Sequence, residues 1–211
     1  MAIIKRGILG GISGKIANIV GGSWKGIAYI RALPLSVANP NTAAQQAVRL
    51  GFKTAVECGR QLTGSFFPKF VNPFVEKMSG FNAFVGANSI NMEDWDGTTW
   101  SGVIMSFGKF AQPINLAGDY DQSTGELSLT WDMPASYIPP MVPAKSFANN
   151  VKKKLKKCGS IDLGVTPETG AAVADIGVGL DLGDKVDVWL MFVSGDGKEV
   201  STSVHIELTA V

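Results

Sequence analysis

Histidine is almost missing from this chain: His205 is the only one in 211 residues, and cysteine is confined to Cys58 and Cys158. Most zinc sites and most cysteine–histidine chemistry therefore lack enough ligands or partners within one chain. No apolar run reaches the roughly 18 residues of a membrane-spanning helix, so membrane insertion is not expected. The opening Met1-Ala-Ile-Ile-Lys-Arg6 lacks the basic, apolar, small-residue order of a secretory signal. Charged residues are scarce as well, at 18 % against 45 % apolar, which fits a globular chain rather than a disordered one. The length suits one large or two small domains.

What charge there is lies unevenly. Residues 1–60 carry eight Lys/Arg against a single acid, Glu57, whereas residues 111–211 carry 13 acids against eight bases. A basic head and an acidic tail can attract each other in neighbouring subunits or draw different partners. Glycine is frequent, 25 residues in all, and dense near the start at Gly7, Gly10, Gly11, Gly14, Gly21, Gly22 and Gly26. The spacing has no collagen period and points to tight turns or close backbone contact.

Residues 1–38 read as a glycine-rich arm and β-hairpin. Ile16–Val20 predicts one strand, Gly21-Gly22 the turn, and Trp24–Arg31 the return strand. Ile27, Tyr29 and Arg31 then share one face, Ala28 and Ile30 the other. An isolated two-stranded hairpin is marginal in water, so other surfaces must cover it. Lys5, Arg6, Lys15, Lys25 and Arg31 could meet phosphates, and Trp24 or Tyr29 could stack a base. Lys15, Trp24, Lys25, Tyr29 and Arg31 are thus the candidate interface or nucleic-acid contacts. Gly10–Lys15 has the closing glycine and lysine of a phosphate-binding loop, but Leu9 stands where the first glycine belongs and Ile16 where a Ser or Thr must hold Mg²⁺. No cofactor or metal site is expected.

Residues 39–110 read as a helical segment. Thr42-Ala-Ala-Gln45 is a capping box, and a helix follows to about Leu62 with Ala44, Val48, Phe52, Ala55, Gly59 and Leu62 as its apolar stripe. A second helix is predicted from Asn72 and Pro73, carrying Phe74, Met78, Phe81 and Val85 inward. Met92–Asp96 reads as a polar surface turn, and Val103–Phe107 as a short strand.

Residues 111–211 read as an antiparallel β-sandwich. Gly125–Asp132 alternates with Leu127, Leu129 and Trp131 on one face. Ala171–Leu180, Lys185–Val193 and Glu199–Leu208 supply further strands, with a hairpin turn at Ser194–Gly197. The fold class is therefore α+β: an N-terminal hairpin and helical segment followed by an immunoglobulin- or fibronectin-like sandwich. The lysine-rich stretch 145–160 fits either a helix or an edge strand. Pairing of Cys58 with Cys158 is open, and His205 has no visible catalytic partner.

Gly7-Ile-Leu-Gly-Gly-Ile-Ser-Gly-Lys-Ile-Ala-Asn-Ile-Val-Gly-Gly-Ser-Trp-Lys-Gly-Ile-Ala-Tyr-Ile-Arg31, continued by Asn39–Arg49, resembles an uncharacterised family of roughly 200-residue proteins from Bacteroidota and their mobile elements. The Asn-Pro-Asn-Thr and Ala-Gln-Gln pattern is also similar to small phage-associated structural proteins. The resemblance implies a non-enzymatic assembly subunit, as in a phage virion or related particle. The expected partners are other copies of the chain or other structural proteins. The alternative is a module binding nucleic acid or another surface. It transfers no catalytic residue and leaves the compartment, virion or cytoplasm, open.

Overall fold

The computed structural model describes residues 11–64, 66–92, 94–95, 100–139, 142 and 144–211, together with the backbone of residues 3–4. Lys5, Arg6, Gly7, Gly10, Glu93 and Asp96 lie outside these. The chain divides into two compact units, Met1–Thr42 and Ala43–Val211.

The first unit is one antiparallel sheet of four strands in chain order: β1 (Ile3–Ile4), β2 (Ile12–Ile16), β3 (Ile19–Trp24) and β4 (Ile27–Ala32). The expected hairpin turn at Gly21-Gly22 is not there. The chain reverses instead at Lys25-Gly26, between the paired residues Trp24 and Ile27, with φ of 47° and 84°. Two successive positive φ values suit the twist of a two-residue hairpin, and glycine reaches the second without strain. Gly21 and Gly22 sit mid-strand for a different reason. A Cβ on Gly21 would fall 2.2 Å from the Ile12 carbonyl oxygen, and one on Gly22 would fall 2.9 Å from the Tyr29 hydroxyl.

The second unit has three layers. Strands β5 (Ile114–Tyr120), β6 (Glu126–Asp132) and β9 (Ala171–Asp175) make one sheet in the order β5-β6-β9. Strands β7 (Lys145–Lys152), β8 (Lys157–Asp162), β10 (Lys185–Val193) and β11 (Val204–Thr209) make the other, in the order β11-β10-β7-β8. Every pairing between these strands is antiparallel. The stretch 145–160 is thus strand, turn and strand, not helix. Leu127, Leu129 and Trp131 meet Val186, Val188, Leu190 and Phe192 between the sheets. Two sheets sharing one core, with crossovers from β6 to β7, from β8 to β9 and from β9 to β10, make an open antiparallel sandwich resembling those of immunoglobulin and fibronectin modules.

A helical layer covers the outer face of the four-stranded sheet. It comprises α1 (Ala43–Leu62), α2 (Phe67–Phe70) and α3 (Gly80–Asn88). Cys58, Leu62, Phe66, Phe70 and Trp100 form one core with Phe147, Val151, Trp189 and Met191 of that sheet. This explains why β7 and β10 are buried almost throughout: β10 reads as the near-continuous apolar run of a strand covered on both faces, whereas β7 takes Ser146, Asn149 and Asn150 into the same burial. Cys58 on α1 and Cys158 on β8 form a disulfide, their Cα atoms 5.7 Å apart. The Gln61 amide joins the same two elements, accepting from Cys158 N at 2.7 Å and donating to Lys156 O at 2.8 Å.

Four local features depart from what the sequence predicts. The buried side of α1 is Gly51, Thr54, Ala55, Cys58, Gly59 and Leu62, while Val48 and Phe52 of the expected stripe are exposed. Close approach sets that rotation, because a Cβ on Gly51 would fall 2.3 Å from Ser89 O. Asn72–Phe74 is a single 3-10 turn. The next helix begins at Gly80, with Ser79 as the cap accepting from Asn82 N, because Asn72 is used otherwise: its side chain accepts from Gly80 N at 2.6 Å. Met92 and Trp95 are buried rather than in a surface turn, with Trp95 Nε1 donating to Glu57 at 2.8 Å. Residues 103–107 form no strand. The Asn88 side chain satisfies both backbone groups of Ile104, and Ser203 Oγ accepts from Met105 N.

Candidate partner interface

The N-terminal sheet is a single layer. Among the described residues, every buried hydrophobic side chain belongs to Ala55 or a later position. Within the sheet, Trp24 is 64 % exposed, Ile27 66 %, Tyr29 46 % and Ile30 57 %. Burying an aromatic or a branched aliphatic side chain contributes about 1.5–3 kcal/mol. This sheet leaves most of that gain unrealised.

Strand register decides which of the candidate residues stand together. Lys15 pairs with Val20, Val20 with Arg31, Gly22 with Tyr29 and Trp24 with Ile27. Residues directly opposite share a face, so Lys15, Val20, Trp24, Ile27, Tyr29 and Arg31 all stand on one face. Gly22 adds no side chain, which leaves room for the Tyr29 hydroxyl above it. Lys25, in the turn at the end of this face, holds its ammonium 4.9 Å from the Trp24 ring centroid, a cation–π contact. The five candidate residues therefore form one surface of two aromatic rings rimmed by cations. Ile27 was not singled out in the sequence, although its alternation with Tyr29 and Arg31 placed it on the same face. Such a surface carries Trp, Tyr and Arg, the residue types that dominate binding energy at protein interfaces.

Polar chemistry elsewhere belongs to the sandwich. Lys152 is buried between the sheets, donating to Gly177 O and lying 3.4 Å from the Tyr120 hydroxyl. Burial first, and then repulsion from Lys157, pulls its ammonium below the ordinary lysine range. Tyr137 donates to Glu168 at 2.6 Å, and burial together with that carboxylate raises its phenol. No group of three His, Cys, Asp or Glu suited to holding a metal ion occurs among the described residues, and no described helix is long and apolar enough to cross a membrane.

A family model described as "Family of unknown function (DUF6266)" matches residues 11–207. No curated protein matches the sequence. Among solved structures, the chain is similar to domains d3–d4 of the rat CD45 extracellular region. The TM-score is 0.35 at 9 % identity, covering 50 % of this chain and 52 % of that one. The chain thus spans about half the length of the CD45 fragment. It is also similar to a fibronectin type-III domain of a human fibronectin type III domain containing protein, with a TM-score of 0.33 at 14 % identity. That match covers 55 % of this chain and 91 % of the domain.

Proposed function

The chain belongs to the DUF6266 family, a family of unknown function, and we propose that it is a non-enzymatic binding module whose N-terminal sheet docks onto another protein. The observation that carries this reading is the face holding Lys15, Trp24, Ile27, Tyr29 and Arg31, which is amphipathic, ordered into strands and without a core of its own. An exposed face of this composition gains free energy only when a second surface covers it.

The partner favoured by charge is a second copy of the chain. Residues 1–60 are strongly basic and residues 111–211 acidic, so head-to-tail contact brings opposite fields together. A heterologous contact of this kind closes into a ring or continues as a filament. An assembly subunit of a phage virion or related particle is the finer form of this reading. The Cys58–Cys158 disulfide suits a protein that works outside a reducing cytosol.

Light scattering on the full chain and on the variant Trp24→Ala/Tyr29→Ala tests the reading. Neither side chain belongs to a hydrophobic core, so the variant keeps its fold. Loss of a central aromatic anchor costs about 2 kcal/mol or more, so the dissociation constant should rise at least ~30-fold. A chain that is monomeric at every concentration, in both forms, overturns the self-association reading. Binding to arbitrary oligonucleotides that falls steeply with salt would assign the same face to nucleic acid instead.

A further inference from the structure

On the outer face of the four-stranded sheet, three neighbouring strands bring an amine and two carboxyl groups together. Lys153 directly follows β7, and Asp187 of β10 is the cross-strand partner of Glu207 on β11. Lys153 Nζ lies 3.0 Å from Asp187 Oδ2 and 3.7 Å from Glu207 Oε2. The Asp187 side chain is fully buried and that of Lys153 only 8 % exposed. Although so close, neither Lys153 Nζ nor Asp187 Oδ2 makes an aligned hydrogen bond. The surroundings are aromatic: Lys153 Nζ is 5.7 Å from the Trp100 ring centroid, and Trp189 stacks near His205 at 4.8 Å. His205 Nε2 meets the other oxygen of Asp187, Oδ1, at 2.8 Å. Glu207 is partly exposed and is held by Lys185 at 2.6 Å.

Condensation of an amine with a carboxyl group requires first that one proton pass from Nζ to Oδ2, which makes a neutral amine beside a neutral acid. We propose that Lys153 and Asp187 are joined by an intramolecular isopeptide bond. The lone pair of Nζ attacks Cγ of protonated Asp187. The Nζ–Cγ bond forms and the Cγ–Oδ2 bond breaks. The departing hydroxyl takes one proton from the amine and leaves as water. Glu207 relays that proton, accepting it from Nζ and returning it to the leaving oxygen, and water exits on its partly exposed side. His205, donating to Oδ1, holds the oxygen that remains as the amide carbonyl. One amine and one carboxylic acid become one amide and one water, so the step needs no oxidant, reductant or cofactor. Proximity favours the step, because the fold already holds Nζ 3.0 Å from the oxygen that leaves. The product ties the end of β7 covalently to β10.

Intact mass spectrometry of the folded full chain, with its disulfide reduced, tests this directly. The expected mass is one water below that of the sequence, and digestion should yield a branched peptide joining the Lys153 and Asp187 segments. Lys153→Arg and Asp187→Ala should each restore the full mass. Glu207→Gln should slow the appearance of the dehydrated species about 100-fold after refolding, as for loss of a general acid–base group. A wild-type chain of full mass, whose Lys153 amine reacts with an acylating reagent after denaturation, overturns the proposal and leaves an ordinary ion pair. The wild-type mass decides this even if a variant fails to fold.

Discussion

Replacing both halves of the disulfide, as Cys58→Ala/Cys158→Ala, removes a covalent tie between α1 and β8 across a sequence separation of 100 residues. Chain-entropy reasoning assigns about 4.7 kcal/mol to closing a loop near that length, and removing native disulfides typically costs about 2–5 kcal/mol. Part of the docking survives the change. The two Gln61 hydrogen bonds to Lys156 O and Cys158 N remain, at about 1 kcal/mol net each. The packing of Leu62, Phe66 and Phe70 against Phe147 and Val151 is also untouched. The double variant should therefore stay folded but melt lower. About 3 kcal/mol at roughly 2–4 °C per kcal/mol for a unit of this size gives about 10 °C. Circular dichroism melts of the wild type, with and without reductant, and of the variant measure it. Reduced wild type should fall to the variant's melting temperature, and reductant should leave the variant unmoved. Two titratable thiols in the oxidised folded protein, or identical melts for all samples, would refute the reasoning.

Gly51→Ala on α1 should destabilise by about 1–3 kcal/mol in chemical denaturation, because the new methyl would lie 2.3 Å from Ser89 O and 2.5 Å from Met92 O. Gly86→Ala on α3 meets nothing within 4 Å; the same measurement should find it stabilising by up to about 1 kcal/mol, the propensity gain of alanine. Lys154 contacts both Asp181 and Asp184, and its hydrogen bond to Asp184 is the leading cause that lowers that carboxyl. A carboxyl whose folded value is depressed stabilises above its unfolded value and loses that contribution as pH falls through the folded one. Stability curves of wild type and Asp184→Asn should therefore differ at neutral pH and converge as pH falls through the lowered value of that carboxyl.

Legibility in the sequence varied with how far each element's pattern depended on distant partners. The alternation in Glu126–Asp132 marked β6 and its inward face, and Ser194–Gly197 marked a turn, because period and turn chemistry are local. The stretch 145–160 was ambiguous because Phe147, Val151 and Leu155 are spaced as on a helix, while the strand has both faces buried and so lost the usual alternation. The stripe on α1 was misplaced by the pull of Val48 and Phe52, since nothing in sequence says that Ser89 and Met92 approach Gly51. At the candidate interface, alternation put Ile27, Tyr29 and Arg31 on one face, but only register added Lys15 and Trp24 to it.

By itself, the sequence determined the segregation of charge, the run of short β-strands in the second half, the long helix after Thr42 and an N-terminal hairpin with apolar residues on both faces. These follow from composition, period and turn residues, all of which act within a few positions. Tertiary structure alone decided that the helices roof the outer face of the four-stranded sheet, that Cys58 meets Cys158, and that Lys153, Asp187, His205 and Glu207 gather under that roof. Those contacts join residues tens of positions apart, and they exist only because burying apolar surface on both sides of β7 and β10 brings their carriers together.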